Sequence, residues 1–147
     1  MAVVIGIIVL GSVLVLGFRG LGGGGGVTQS THTVNITNDL ITVKANDYEY
    51  YPFYVPSGAT NVQVQGSFTA SGGSVNDIEV LVMDPTEFIN WQNGHQTGAY
   101  YDSGQLTTSS FDVPLPSGQR TYYLVYSNTF SMDQKNVNTQ ANLTYTS

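Results

Sequence analysis

The sequence predicts an all-β protein, an antiparallel β-sandwich of about eight strands with one short helix, preceded by an apolar N-terminal segment. Runs of alternating apolar and polar residues recur about every 8–12 residues, and clusters of Gly, Asn, Asp and Pro separate them. One run, TYYLVYS at 121–127, is apolar on nearly both faces. We therefore expect this strand in the middle of a sheet that is covered on both sides.

The composition is acidic and poor in charge. Charged residues make up 10% of the chain, whereas soluble globular proteins average about 25%. Thr, Ser, Asn, Gln and Tyr take their place, which suits an extracytoplasmic β-protein. Three basic and ten acidic residues follow residue 26, a net charge of −7 that leaves no basic patch for nucleic acid. Without cysteine, the chain has no disulfides, Cys-based zinc sites or thiol catalysis.

Residues 1–19 are predicted to form a transmembrane signal anchor. The run from Ala2 to Phe18 carries no charge and, with Met1, spans about 27 Å as a helix, close to the ~30 Å hydrocarbon core of a bilayer. The alternative is a signal peptide cleaved between Gly20 and Gly23. The missing basic n-region and the long apolar run favour the anchor. The membrane is then one partner, and the C-terminal domain is extracytoplasmic.

Residues 20–31 are predicted to be a flexible linker, because five consecutive glycines disfavour regular structure. A phosphate-binding glycine loop is the alternative, but it requires a preceding strand, a following helix and a Lys-Ser/Thr pair. The sequence around 22–26 has no such pair. The sandwich domain is therefore assigned to 32–147.

The first half of this domain reads as strands separated by polar turns. A strand from Thr33 is expected to turn at Asn38-Asp39 and to continue to Lys44. In the strand 48–55, Pro52 restricts the chain to a sheet edge or a bulge. Strand 61–69 alternates cleanly, and strand 78–83, IEVLVM, is apolar enough to pair beside the central strand.

The single helix is predicted from capping residues. Asp84 stands at the N-cap, followed by Pro and, three positions on, by Glu87. Phe88 and Trp91 share one helical face, which we expect to close one end of the sandwich. Beyond a stop at Asn93-Gly94, the remaining strands are predicted at 99–102, ending in a turn at Ser103-Gly104, and at 111–115, 122–127 and 140–146.

The segment GQRTYYLVYSNTFSMDQKNV at 118–137 resembles the C-terminal signature of the GOLD domain of emp24/p24-like membrane proteins. The matching residues are Gly118, the aromatic strand 122–126, Asn128, Phe130-Ser131 and Lys135. The resemblance extends over roughly 45–147 and implies a jelly-roll-like β-sandwich that binds proteins or lipids outside the cytosol. The p24 relatives also carry a paired-Cys disulfide, a coiled coil and a C-terminal anchor, which this sequence lacks.

No pattern in the sequence indicates catalysis, so we predict no enzyme, no cofactor and no metal. His32 and His95 are the only histidines and lack partners at metal spacing. Asp77, Asp84 and Asp102 stand near loops and would have to converge to bind Ca²⁺; turn and cap roles are the simpler interpretation.

Two kinds of candidate site remain. Asn35-Ile36-Thr37 and Asn142-Leu143-Thr144 are glycosylation sequons, and the alternation places both Asn35 and Asn142 on a solvent face. Trp91, Tyr100 and Tyr101 form a candidate recognition patch, since Trp and Tyr dominate binding hot spots. The alternative is that these aromatics cover the core.

The sequence thus predicts a membrane-tethered extracytoplasmic binding module for an unknown protein or glycan. The alternative is a structural subunit of a surface layer or filament that self-associates through exposed strand edges. A hydrolase is the third and weakest interpretation, because no Gly-x-Ser-x-Gly motif accompanies the serines.

Overall fold

Two four-stranded antiparallel sheets and one helix make up the computed structural model, which describes residues 28–118 and 120–147. The strand order is β1-β8-β3-β6 in the first sheet and β2-β7-β4-β5 in the second. The all-β sandwich is therefore confirmed, and the elements in chain order are β1 (Thr31–Val43), β2 (Tyr48–Val55), β3 (Thr60–Ser71), β4 (Ile78–Met83), α1 (Pro85–Gln92), β5 (Tyr101–Leu106), β6 (Thr108–Pro114), β7 (Arg120–Ser127) and β8 (Lys135–Thr146).

The predicted transmembrane segment 1–19 and the linker as far as residue 27 lie outside the described residues. In the part of the chain that the structure describes, no helix has the length and apolarity needed to span a bilayer. Backbone hydrogen bonds of 3.0 and 3.1 Å between Ser30 and Ser147 extend the pairing of β1 with β8 by one residue.

The strand predicted to be central is confirmed as such. β7 pairs with β2 on one side and β4 on the other. Tyr122, Leu124 and Tyr126 point between the sheets and are fully buried. Tyr123 and Val125 point to the outer face of the second sheet, where a smaller apolar cluster covers them. Both faces of β7 are therefore buried, as its unbroken apolar run requires.

Helix α1 has the predicted cap but a different position. Asp84 Oδ1 accepts hydrogen bonds from the backbone N–H groups of Thr86 and Glu87, at 2.8 and 2.9 Å. Glu87 Oε2 accepts from the backbone N–H of Asp84 at 2.9 Å, which completes a capping box. The expectation that the helix closes one end of the sandwich is wrong. It lies on the outer face of the second sheet, where Phe88 stacks on Tyr123 at 4.4 Å.

Two predicted turns lie within continuous strands. β1 runs straight through Asn38-Asp39, and its register shifts instead between Asn35 and Thr37. β5 likewise runs through Ser103-Gly104, where Gly104 has φ +61° and the Ser103 hydroxyl accepts the Val80 N–H at 2.7 Å. The prediction for Pro52 is confirmed, because β2 is an edge strand.

A buried polar corner joins three loops at one end of the sandwich. Lys135, only 2% exposed, donates from Nζ to Asp77 Oδ1 at 3.0 Å and to the Gly72 carbonyl at 3.1 Å. Asn128, fully buried, donates from Nδ2 to the carbonyls of Lys44 and Asp133 at 2.9 and 2.8 Å. We call Asn128, Lys135 and Asp77 the polar corner.

Candidate functional site

A cleft of about 240 Å³ lies on the outer face of the second sheet, between α1 and β5. Its floor comes from β4, one wall from the helix, and the other wall from β5 and the loop that precedes it. The lining residues are Glu79, Leu81, Met83, Trp91, Thr97, Gly98, Ala99 and Asp102.

The alternation of β4 creates the floor. Ile78, Val80 and Val82 point into the core between the sheets, so the intervening residues face outward. Two of those, Leu81 and Met83, are apolar and are covered by α1, whereas Glu79 lies where that cover ends. The backbone N–H of Tyr100 donates to the Val82 carbonyl at 2.8 Å and ties the loop after α1 to this strand.

Trp91 forms a rigid aromatic wall of the cleft. Its ring meets Tyr48 edge-on at 4.9 Å and lies nearly parallel to Phe88 at 6.3 Å. Gln92 Nε2 donates to the Tyr48 hydroxyl at 2.7 Å and holds that ring in place. Because Trp91 is packed on these rings and still lines the cleft, its position is set before any ligand arrives.

Two carboxylates meet at the cleft on neighbouring strands. Asp102 is the register partner of Leu81 and therefore lies on the same outer face as Glu79, which is paired with Gln105 on the other side of the β5 bulge. Burial raises the pKa of the Glu79 carboxyl, the nearby Asp102 carboxylate raises that pKa further, and a hydrogen bond with Ser127 opposes both. The basic residues within the described ranges do not line the cleft. The cleft therefore carries negative charge without a cation from the described residues.

The raised pKa of Glu79 predicts a pH-dependent effect of Glu79→Gln. An acid whose pKa is higher in the folded than in the unfolded state adds stability below the unfolded pKa and loses it as pH rises through the folded pKa. Glu79→Gln is therefore expected to raise the melting temperature at pH 7.5, with a smaller gain at pH 4. Calorimetry at both pH values checks this, with Asp112→Asn, an exposed carboxylate, as control. An equal gain at both pH values would contradict the electrostatic explanation.

The other two residues of the predicted patch do not line this cleft. Tyr100 packs edge-on against the buried ring of Tyr122 at 5.4 Å, and Tyr101 lies 5.2 Å from Phe111. Both are half-buried against the core between the sheets. The structure therefore separates Tyr100 and Tyr101 from Trp91, and their contacts favour the alternative of core cover.

The two sequons are brought together on the outer face of the first sheet. Asn35 and Asn142 are register partners on β1 and β8, and Asn35 Nδ2 donates to Asn142 Oδ1 at 3.3 Å and to the Thr37 carbonyl at 3.4 Å. Both side chains are half-buried within strands. Since directly opposed Cβ atoms lie about 4.5–5.5 Å apart, two glycans here would crowd each other, and glycosylation stays a prediction.

The predicted alternatives for Ca²⁺ and histidine chemistry fall at separate places. Asp77 pairs with Lys135, Asp84 caps α1, and Asp102 lines the cleft. His32 stacks on Tyr145 at 4.9 Å, while His95 is exposed in the loop after α1. Across 28–118 and 120–147, no group of three or more His, Asp or Glu side chains is placed to hold a metal ion.

The outer face of the first sheet is nearly free of charge. Among its outward positions in the described strands, Asp112 is the one charged residue, and nearly all the rest are Asn, Gln, Ser or Thr. Several of these side chains bond across strands, as Thr42 does to Asn136 at 3.0 Å and Gln65 to Asp112 at 3.0 Å. We call this surface the neutral face.

Neither a protein-family model nor a curated protein matches the chain. The cleft therefore has to be interpreted from its own residues. Of these, sequence reasoning selected Trp91 for binding and missed Glu79. The available signal was that Glu79 is the single acid inside the apolar run 78–83, where a charge is unexpected.

Proposed function

We propose that this protein is a membrane-tethered extracytoplasmic binding module whose contact site is the cleft beside Trp91. The observation that carries the proposal is the cleft itself, in which an indole held by neighbouring rings meets two carboxylates above the buried side chains of Leu81 and Met83. Concave apolar sites with a few converging polar groups are the usual form of ligand sites. Trp is also the residue type most enriched at binding hot spots.

The energetics of Glu79 support this choice of surface. Placing a half-buried carboxylate beside Asp102 costs stability at neutral pH, as the raised pKa of Glu79 indicates. Residues that break a local rule of stability concentrate at functional sites. The buried ion pair of Lys135 with Asp77 is compensated and needs no such explanation.

The tether is the second part of the proposal. The uncharged run at 2–18 is long enough to cross a bilayer, and the glycines after it give the domain freedom to reach a ligand near the membrane. In that position the ligand is a protein or a glycan outside the cytoplasm. The suggested relation to GOLD domains fits this role and remains part of the proposal.

The test uses the full chain in lipid nanodiscs and a surface fraction from the native host. We expect Trp91→Ala to reduce the bound material by at least about tenfold, as loss of a hot-spot residue does. Ile89→Ala, an exposed position on the same helix, is the matched control and should bind normally. Melting curves of both variants verify folding. Equal binding by the two variants would refute the cleft as the contact site.

The alternative, a structural subunit assembling through strand edges, is favoured by one feature of β1. Each of the four sheet edges carries an interruption: Pro52 in β2, the bulge at Gly104 in β5, Pro114 at the end of β6 and the bulge between Asn35 and Thr37 in β1. The edge of β1 beyond its bulge, residues 37–43, carries no proline and adjoins the neutral face. Light scattering of the full chain tests it. Leu40→Lys should dissociate an edge-paired polymer, and Met132→Lys, on a loop, should not.

A further inference from the structure

We propose that the cleft beside Trp91 selects an organic cation, an ammonium or guanidinium group carried on an apolar stem. The inference rests on the proposed function and adds the chemical class of the ligand. Its basis is the combination of an indole wall and two carboxylates in one cleft.

The charge of the cleft favours a positively charged group. Burial raises the pKa of Glu79, and repulsion from the Asp102 carboxylate across β4 and β5 raises it further. A cation between them removes this repulsion and gains charge-assisted hydrogen bonds. A neutral sugar would leave the charges of both carboxylates uncompensated, and the lining offers it only two neutral side-chain groups that can hydrogen-bond, the Thr97 hydroxyl and the Trp91 indole N–H.

The apolar part of the lining selects for the stem. A cation over the face of an indole is attracted by the ring quadrupole, and Trp is the best of the aromatic residues for this contact. Ala99 and the indole of Trp91, both half-buried, offer contact to methylene groups, whereas Leu81 and Met83 lie buried beneath the cleft. A bare metal ion gains nothing from these residues.

The size of the cleft limits the ligand to one group of side-chain dimensions. Its volume of about 240 Å³ lies below the ~300–1,000 Å³ of sites that enclose a drug-sized ligand. A lysine or arginine side chain of a partner protein fits this limit, and so does a small free amine. The net charge of −7 after residue 26 also attracts a basic partner over a longer range.

Trp91 provides a direct readout, because it is the only tryptophan in the chain. Its fluorescence is measured on the full chain in nanodiscs during titration with N-acetyl-lysine amide and with N-acetyl-arginine amide. N-acetyl-norleucine amide is the neutral control of matched stem length. We expect saturable emission changes with the two cations and at least about tenfold weaker binding of the neutral analogue. Free tryptophan amide with the same probes controls for direct quenching.

The variants and conditions separate the carboxylates from the rest of the cleft. Glu79→Gln combined with Asp102→Asn should weaken the binding of the cationic probes at least about tenfold. Asp112→Asn should leave their binding unchanged. Raising the salt concentration should weaken binding, because the cleft is open to solvent. Acidification should weaken binding too, since protonated Glu79 no longer attracts a cation.

Equal binding of butylamine and the lysine amide would identify a free amine as sufficient. Tighter binding of a lysine-containing peptide would identify a side chain of a partner.

Three results would overturn this inference. The first is that the norleucine amide binds as tightly as the cationic probes. The second is that the Glu79 and Asp102 substitutions leave the affinity for the cationic probes unchanged. The third is that millimolar Ca²⁺ displaces the cationic probes. The proposed function would survive all three if Trp91→Ala still abolished capture of the host surface fraction. The proposed function would be refuted, independently of the ligand class, if the Trp91→Ala variant captured that fraction as well as the Ile89→Ala variant does.

Discussion

Replacing Lys135 with Met is expected to lower the free energy of unfolding by about 3–5 kcal/mol. The Lys135 ammonium is 2% exposed and bonds Asp77 at 3.0 Å and the Gly72 carbonyl at 3.1 Å. Its loss leaves a carboxylate that is 13% exposed, together with a buried carbonyl, without their donor. At about 4 °C per kcal/mol for a domain of this size, calorimetry should record a fall in melting temperature of at least about 10 °C.

The chain contains a matched control for this substitution. Lys44 is the other lysine in the described residues and is exposed, so Lys44→Met should change the stability by less than about 0.5 kcal/mol. Adding Asp77→Leu to Lys135→Met should recover part of the loss, because removing both partners leaves no buried charge. A loss below about 1 kcal/mol for Lys135→Met would show that the pair does not hold the loops together.

Patterns confined to a few neighbouring residues were enough to predict several elements of the fold. The capping box of α1 depends only on Asp84 and Glu87, three residues apart, and it forms as predicted. The edge position of β2 follows from the missing donor of Pro52. The central place of β7 follows from apolar residues on both of its faces. Each of these signals is local.

Features that depend on a distant strand were not predictable in this way. Asn38-Asp39 and Ser103-Gly104 are turn-forming pairs by composition, yet both lie within paired strands. The register of each stretch is set by its partner, β8 or β4, which no local pattern identifies. The predicted position of α1 was wrong for a similar reason. The outer face of β4 and β7 is apolar and requires a cover, but the sequence does not show which element provides it.

The candidate site was predictable only in part for the same physical reason. Trp91 was selected because Trp and Tyr dominate binding hot spots. Tyr100 and Tyr101 carry the same signal, but Tyr101 is paired with Val82 in the β4–β5 register, Tyr100 is tied to the Val82 carbonyl, and both rings contact aromatic rings of the core. Glu79 and Asp102 are 23 positions apart in the sequence. Only the pairing of β4 with β5 brings them to one cleft.

The polar corner shows a further limit of sequence reasoning. Asn128 and Lys135 belong to the segment that resembles the GOLD signature, but polar residues are ordinarily expected at the surface. Here both are buried, because the loops that they join present backbone carbonyls that require donors. Asn128 links the loops after β1 and β7, and Lys135 links β8 to the loop after β3.

The second large effect is expected for Asn128→Asp, with a loss of at least about 3 kcal/mol at pH 7. Asn128 Nδ2 is the donor for the carbonyls of Lys44 and Asp133, at 2.9 and 2.8 Å. A carboxylate has no donor to offer, so both carbonyls lose their partner, at roughly 1–3 kcal/mol each. The new charge would also be buried at a position that is fully inaccessible to solvent.

The pH dependence of this loss identifies its cause. Burial beside two carbonyls disfavours the charged form, so the introduced carboxyl has a higher pKa in the folded than in the unfolded state. Stability is then retained at low pH and lost as pH rises, so the difference in free energy of unfolding from the native protein should be smaller at pH 4 than at pH 7.

Asn138→Asp, at an exposed position of β8, is the control and should show little loss of stability at either pH. Urea unfolding at both pH values measures the effect. If the loss for Asn128→Asp were as small as that for Asn138→Asp, the amide of Asn128 would not be the donor that joins the loops after β1 and β7.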